Sequence, residues 1–237
     1  MFPIGDDNSD RTITPVVNYV FIALNILVFV FLQGLGGNDA FSYAFSLVPK
    51  EITTGVDLSG VQIVQDALGH TGKVQLYPSP LPVYFNFLSS MFMHGGWAHL
   101  LGNMLFLWIF GDNIENRLGH IRYIIFYLVC GIAAALGQIV LDSGSVIPML
   151  GASGAISGVL GGYILLFPHR RVKAIIFRFL TEVPAYVAIG IWIVYQLVLG
   201  YMTDPGTGGV AYAAHIGGFL AGLALVKVFA IGRPAPG

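Results

Sequence analysis

Apolar residues run along this 237-residue chain in six long blocks, at about 16–33, 97–111, 121–141, 151–168, 184–202 and 209–230. Each approaches the roughly 20 residues a helix needs to cross a bilayer. The pattern therefore predicts an all-α polytopic membrane protein with six transmembrane helices. Between the first two blocks the pattern breaks down: residues 34–96 carry Asn38, Asp39, Pro49, Lys50, Glu51, Asp57, Lys73, Pro78, Pro80 and Pro82. This segment reads as a long loop, with its apolar and aromatic patches at 41–48 and 83–87 resting in the membrane interface. No linker, low-complexity tail or internal repeat divides the chain, so residues 1–237 read as one domain.

Composition strengthens the membrane reading: 56% of residues are hydrophobic and 10% charged, against about 25% charged in an ordinary soluble domain. A formal net charge of -1 lacks the basic surface that binding to nucleic acid demands. Cys130 is the only cysteine, so no internal disulfide forms. The first block follows acidic residues (Asp6, Asp7, Asp10) and is not trailed by an Ala-x-Ala site, which predicts a retained helix rather than a cleaved signal. Orientation follows from the basic residues, which concentrate in cytoplasmic loops. With the N-terminus inside, Arg11, Arg117, Arg122, Arg170, Arg171, Lys173, Arg178, Lys227 and Arg233 fall on the cytoplasmic side, and Lys50 and Lys73 outside. The basic loop 169–178 also carries Ile175, Ile176, Phe177 and, just beyond it, Phe179 and Leu180, which predicts that it lies against the inner leaflet.

Reactive side chains inside such blocks are candidates for function. Residues 151–158 read Gly-Ala-Ser-Gly-Ala-Ile-Ser-Gly, and His215 stands in Ala-Ala-His-Ile-Gly-Gly-Phe in the sixth block. The second block is preceded by His94 and contains His99 and Asn103, which at i and i+4 share one helix face. Under the inferred topology the second, fourth and sixth helices all run inward. At 1.5 Å rise per residue, Ser153, His99, Asn103 and His215 then lie roughly 3 to 10 Å below the outer surface. Gly154, Gly158 and Gly162 face a matching Ala214, Gly218 and Gly222 series, the small-residue spacing that lets two helix backbones pack closely.

Each feature has a plainer reading. A serine in a spanning helix usually bonds its own backbone, as Ser157 would; a buried histidine usually packs; the glycines pack helices in many transporters. Together they point to acyl transfer. Ser153 serves as nucleophile and His215 as base, while His99, Asn103 and the Ser153 amide meet the developing oxyanion. Asp142 and Asp204 fall in short outer loops and do not complete a triad. His94 and His99 are five apart with no intervening Glu, unlike a zinc helix, so neither metal nor cofactor is expected.

In these motifs the chain resembles the rhomboid family of intramembrane serine proteases. The resemblance rests on residues 94–103, on Gly151-Ala-Ser153-Gly154 and on Ala214-His215-Ile-Gly-Gly218, in that order, and covers nearly the whole chain. It implies a rhomboid-like bundle and a Ser153–His215 dyad. His99 and Asn103 become oxyanion-stabilising side chains, with His94 in a structural role. Some members carry a tyrosine four residues after the nucleophile, stacked on the histidine; Ser157 stands there in this chain, so His215 is expected to be held mainly by helix packing. The Trp-Arg pair of some members' first outer loop is also missing.

The implied substrates are spanning segments of other membrane proteins, cut near their outer ends, with the fifth helix and its mixed face of Trp192, Tyr195 and Gln196 as a side gate. The chain's economy predicts a multi-pass protein of a prokaryotic plasma membrane. A non-proteolytic relative that binds unstable membrane helices is the alternative. A transporter would need charges along a path through the bilayer, which the one-sided polar groups do not supply. Oligomeric state is not encoded in any of these motifs.

Overall fold

The computed structural model describes residues 2–65, 70–176, 178–203 and 210–233. The protein is mostly helical. A short strand β1 (Phe2–Asp6) leads into α1 (Val16–Leu27), which continues as a wider π-helical turn over Val28–Leu32. Helix α5 (Trp97–Phe106) passes through a second π-helical turn (Leu107–Gly111) into α6 (Asp112–Leu118). Then come α7 (His120–Leu141), α8 (Ser153–Leu166), α9 (Ala185–Met202) and α10 (Tyr212–Phe229). By length and composition α7, α9 and α10 are able to cross a membrane, and α8 and the 16–32 helix are shorter apolar helices. The first residue of the expected sixth block, Gly209, lies outside the described residues, as does Asp204.

Helix α10 packs chiefly on α8 and α7, and small residues explain why. A methyl group at Gly218 would overlap the Gly154 carbonyl oxygen, and one at Gly222 would overlap that of Gly158. One at Gly161 would strike the Phe219 carbonyl. The two backbones therefore touch, the approach that glycine spacing permits between helices. Around this seam Phe110, Tyr123, Phe126, Tyr127 and Tyr163 are fully buried.

At one end of the bundle, part of the basic segment read as a loop is a strand. This strand, β4 (Arg171–Ile176), pairs antiparallel with β1 on one side and with β5 (Phe179–Pro184) on the other. The reason is a period of two: Val172 and Ala174 point into the protein while Arg171 and Lys173 point out. Phe177 lies outside the described residues, and Phe179 and Leu180 remain exposed. The acidic N-terminal residues have partners here. The Tyr163 hydroxyl donates to Asp6 Oδ2 at 2.5 Å, and Asn113 Nδ2 donates to the same oxygen at 2.7 Å. Arg170 pairs with Asp10, and Arg11 with Asp112 at 3.1 Å. Burial pushes the Asp6 carboxyl up to about 7, against the opposing hydrogen bond from Tyr163. Arg122 and Arg117 bond carbonyls at the end of α10, and Arg233 returns to Leu118. The basic residues of three segments thus gather at one end.

At the other end the 34–96 segment is folded rather than draped. It forms α2 (Asp39–Ala44), α3 (Pro49–Thr54), a hairpin of β2 (Gly60–Gln65) and β3 (Thr71–Leu76), and α4 (Asn86–Ser89). Ala44, Leu47 and Val48, which belong to a patch expected in the interface, are buried within the protein. Leu47 exchanges two backbone hydrogen bonds with Met149, and Gly151 N donates to Ser90 O at 2.8 Å. With Lys50 N donating to Ser145 O at 3.0 Å and the Thr53 hydroxyl to Ser143 O at 3.0 Å, the segment holds the loop that leads into α8 at several points.

Candidate active site

The N-terminal ends of α5, α8 and α10 and the last turns of α9 surround a cavity of about 680 Å³. Ser153, His215, His99, Asn103 and Gln138 line it, at the end of the bundle opposite β1. Helix direction creates this convergence. Three helices that start at the same level bring their first turns together, and the first turn is where backbone N–H groups lack helical partners.

Ser153 is the first residue of α8, so its own amide is outside the helical ladder and lies at the positive end of the helix dipole. His215 Nε2 stands 2.8 Å from Ser153 Oγ. The other ring nitrogen, Nδ1, is 2.7 Å from Gln196 Oε1. A carbonyl oxygen only accepts, so Nδ1 carries the proton and Nε2 presents its lone pair to the serine hydroxyl. Ser157 is spoken for: its hydroxyl donates to Ser153 O at 2.6 Å, the plain intrahelical bond expected of it.

The expectation that His215 is held mainly by helix packing needs correcting. Gln196 of α9 binds it directly, and the Trp192 ring lies alongside it with centroids 6.1 Å apart. The predicted mixed face of α9 divides accordingly: Gln196 is buried, Trp192 half-buried and Tyr195 exposed.

Across the cavity, Gly95 N donates to His99 Nδ1 at 3.3 Å. That leaves His99 Nε2 as the protonated, donating nitrogen. It faces Gly151, where an added methyl would sit 2.9 Å from Nε2 and 3.5 Å from Ser153 Oγ. Gly151 has φ +132, a conformation suited to glycine, so an open space is kept between the imidazole donor and the hydroxyl. Asn103 is 8% exposed, and its Nδ2 finds no hydrogen-bond partner among the described residues.

His94 does not reach Ser153. It is buried with its ring against that of His99, centroids 5.1 Å apart. Its backbone is read twice by Gln33, which accepts from His94 N and donates to His94 O, both at 2.9 Å. Gly154 lies in the α8–α10 seam beside the site.

The structure thus brings together Ser153, His215, His99 and Asn103, with Gly151 between them and His94 and Gly154 behind. Asp142 caps the end of α7. Gln196 and Gln33 were not read from the sequence as site residues. Gln196 carried a faint signal, an amide among the apolar residues of the fifth block. Among the described residues no three His, Cys, Asp or Glu side chains gather to hold a metal.

A family model described as Rhomboid domain matches residues 82–231, the stretch that contains all of these residues except Gln33. The chain is 33% identical over 143 residues to Rhomboid protein 1, mitochondrial, of Saccharomyces cerevisiae, covering 57% of this chain and 39% of that protein. It is 27% identical to Rhomboid protease GluP of Bacillus subtilis over 94% of this chain and 36% of that protein. It is 31% identical to RHOMBOID-like protein 5 of Arabidopsis thaliana over 63% of this chain and 45% of that protein. These matches span less than half the length of each relative. With the family's domain matched over more than half of the chain, on a mostly helical scaffold with apolar helices long enough for a bilayer, this protein belongs to the rhomboid family.

Proposed function

We propose that this chain is an intramembrane serine endopeptidase that cleaves spanning segments of other membrane proteins near their outer ends. The observation that carries the reading is the 2.8 Å approach of His215 Nε2 to Ser153 Oγ inside a cavity that also holds two donors, His99 Nε2 and Asn103 Nδ2, for which no partner stands among the described residues. In this mechanism neutral His215 takes the Ser153 proton as Oγ attacks the scissile carbonyl. The new oxyanion enters the space over Gly151, met by His99 Nε2, Asn103 Nδ2 and the Ser153 amide. His215 then protonates the leaving amine, and a water molecule repeats the sequence on the acyl-enzyme. His94 and Gly154 act by support, the first behind His99 and the second in the helix seam. No cofactor takes part.

The proposal includes a topology. The six helical runs, including the short α8, cross the membrane as one domain. The end with β1 and the basic residues is cytoplasmic, and the cavity opens outward, in the plasma membrane of a prokaryotic cell. A peptide bond inside an intact helix is screened by hydrogen bonds and side chains. Substrates with glycine or proline near the outer end of a spanning helix are therefore favoured.

The test is cleavage, in proteoliposomes, of a single-span protein with such residues placed near the outer surface. The wild-type protein is expected to cut it with or without a chelator. Ser153→Ala and His215→Ala should each lose about 10⁴-fold or more, as when a member of the catalytic set is removed from soluble serine hydrolases. Undiminished cleavage by Ser153→Ala, or loss of cleavage on chelation with the fold intact, would refute the reading.

A further inference from the structure

The outer two-thirds of α9 keeps most of its surface outside the protein interior. From Gly190 to Met202 every residue is partly or fully exposed except Gln196, which is 6% exposed. This buried amide is polar, and its oxygen lies 2.7 Å from His215 Nδ1. Among the described residues no other hydrogen-bond acceptor meets Nδ1: the neighbouring Trp192 and Tyr212 contacts are ring contacts with centroids 6.1 and 6.4 Å away. An imidazole that must take a proton at Nε2 needs its own proton on Nδ1, and the acceptor at Nδ1 decides that tautomer.

We propose, resting on the protease reading above, that Gln196 is a positioning residue that fixes the tautomer and orientation of His215 from helix α9. It does for this base what a carboxylate does in a serine-hydrolase triad, without a charge. It stands on a different helix from both Ser153 and His215. The same contact links the base to α9: a hydrogen bond of this kind is lost once donor and acceptor part beyond about 3.5 Å. An outward shift of the α9 outer half by about 1 Å therefore leaves His215 without its orienting acceptor. The base is competent only while this helix is seated.

Two substitutions separate positioning from packing. Gln196→Glu keeps an acceptor oxygen at the same reach, and Gln196→Leu fills the space and removes the acceptor. With the full chain in detergent at matched thermal stability, the rate of fluorophosphonate labelling at Ser153 is expected to fall about 10- to 100-fold in Gln196→Leu, the usual effect of losing an orienting partner. Gln196→Glu should label within about tenfold of wild type. Labelling of Gln196→Leu at the wild-type rate, or equal losses in both variants, would overturn the proposal.

Nitrogen-15 spectra of the histidine rings provide a readout that does not depend on activity. Wild type should show His215 as the Nδ1–H tautomer, and Gln196→Leu a mixture with Nε2–H. An unprotonated Nδ1 in wild type overturns the role of Gln196. An Nδ1–H ring in a protein that resists labelling would instead overturn the protease reading while upholding the placement of Gln196.

Discussion

Gly218→Ala is expected to lower the reactivity of Ser153 by about 100-fold or more, although the new methyl touches neither Ser153 nor His215. Its Cβ would overlap the Gly154 carbonyl oxygen and sit 3.2 Å from Ala134 Cβ. Both obstacles are fixed in helices, one of them backbone, so α10 must move away from α8 and α7. Ser153 is adjacent to Gly154, and His215 lies one turn before Gly218, so the displacement falls on the 2.8 Å contact between them. A shift near 1 Å between reacting groups is enough for a loss of about 100-fold. Overpacking of this kind also destabilises by about 1–3 kcal/mol. Labelling rate and thermal midpoint measured on the same preparation check both effects. A normal labelling rate in Gly218→Ala would mean that the α8–α10 seam does not set the geometry of the site.

Asn103→Ala carries the second large effect, and its signature is a split. Asn103 Nδ2 is a buried donor without a partner among the described residues, so in the resting fold it holds none of those groups in place. A donor so placed is explained if its acceptor appears only during the reaction. Removing one oxyanion donor reduces kcat by about 100- to 1000-fold in comparable hydrolases. The thermal midpoint of Asn103→Ala should stay level, because no hydrogen bond of Nδ2 within the described residues is lost. Turnover of a spanning substrate should drop with little change in KM, since the donor meets the oxyanion rather than the bound carbonyl. A drop in stability that accounts for the lost turnover would assign Asn103 to the scaffold instead.

Much of this site is legible in the sequence because it is built from helix starts. Ser153, His215 and the His99–Asn103 pair each lie within the first turns of an apolar block, and alternate blocks run in one direction, so equal depth follows from position alone. Gly154, Gly158, Gly218 and Gly222 were readable as a seam for the same reason: spacing within a helix carries the information. What escaped was set by contacts distant along the chain. Gln33 recognises the His94 backbone across 61 positions, and Gln196 reaches His215 across 19. No local pattern marks either amide as a partner.

The β1–β4 pairing joins residues near 4 to residues near 174. There the alternation of Arg171, Val172, Lys173 and Ala174 was visible, but the basic character of the segment suggested a surface loop instead. Helices α2 and α3 are six residues each, less than two turns, too short for an apolar period to declare itself.

The most direct test of the central claim is reaction of the detergent-purified protein with a fluorescent fluorophosphonate, with peptide mapping of the adduct. The account predicts an adduct on Ser153, none in Ser153→Ala, and labelling slowed by about 10³-fold or more in His215→Ala at equal folded amount. A well-folded wild type that stays unlabelled, or an adduct that persists in Ser153→Ala, would contradict it.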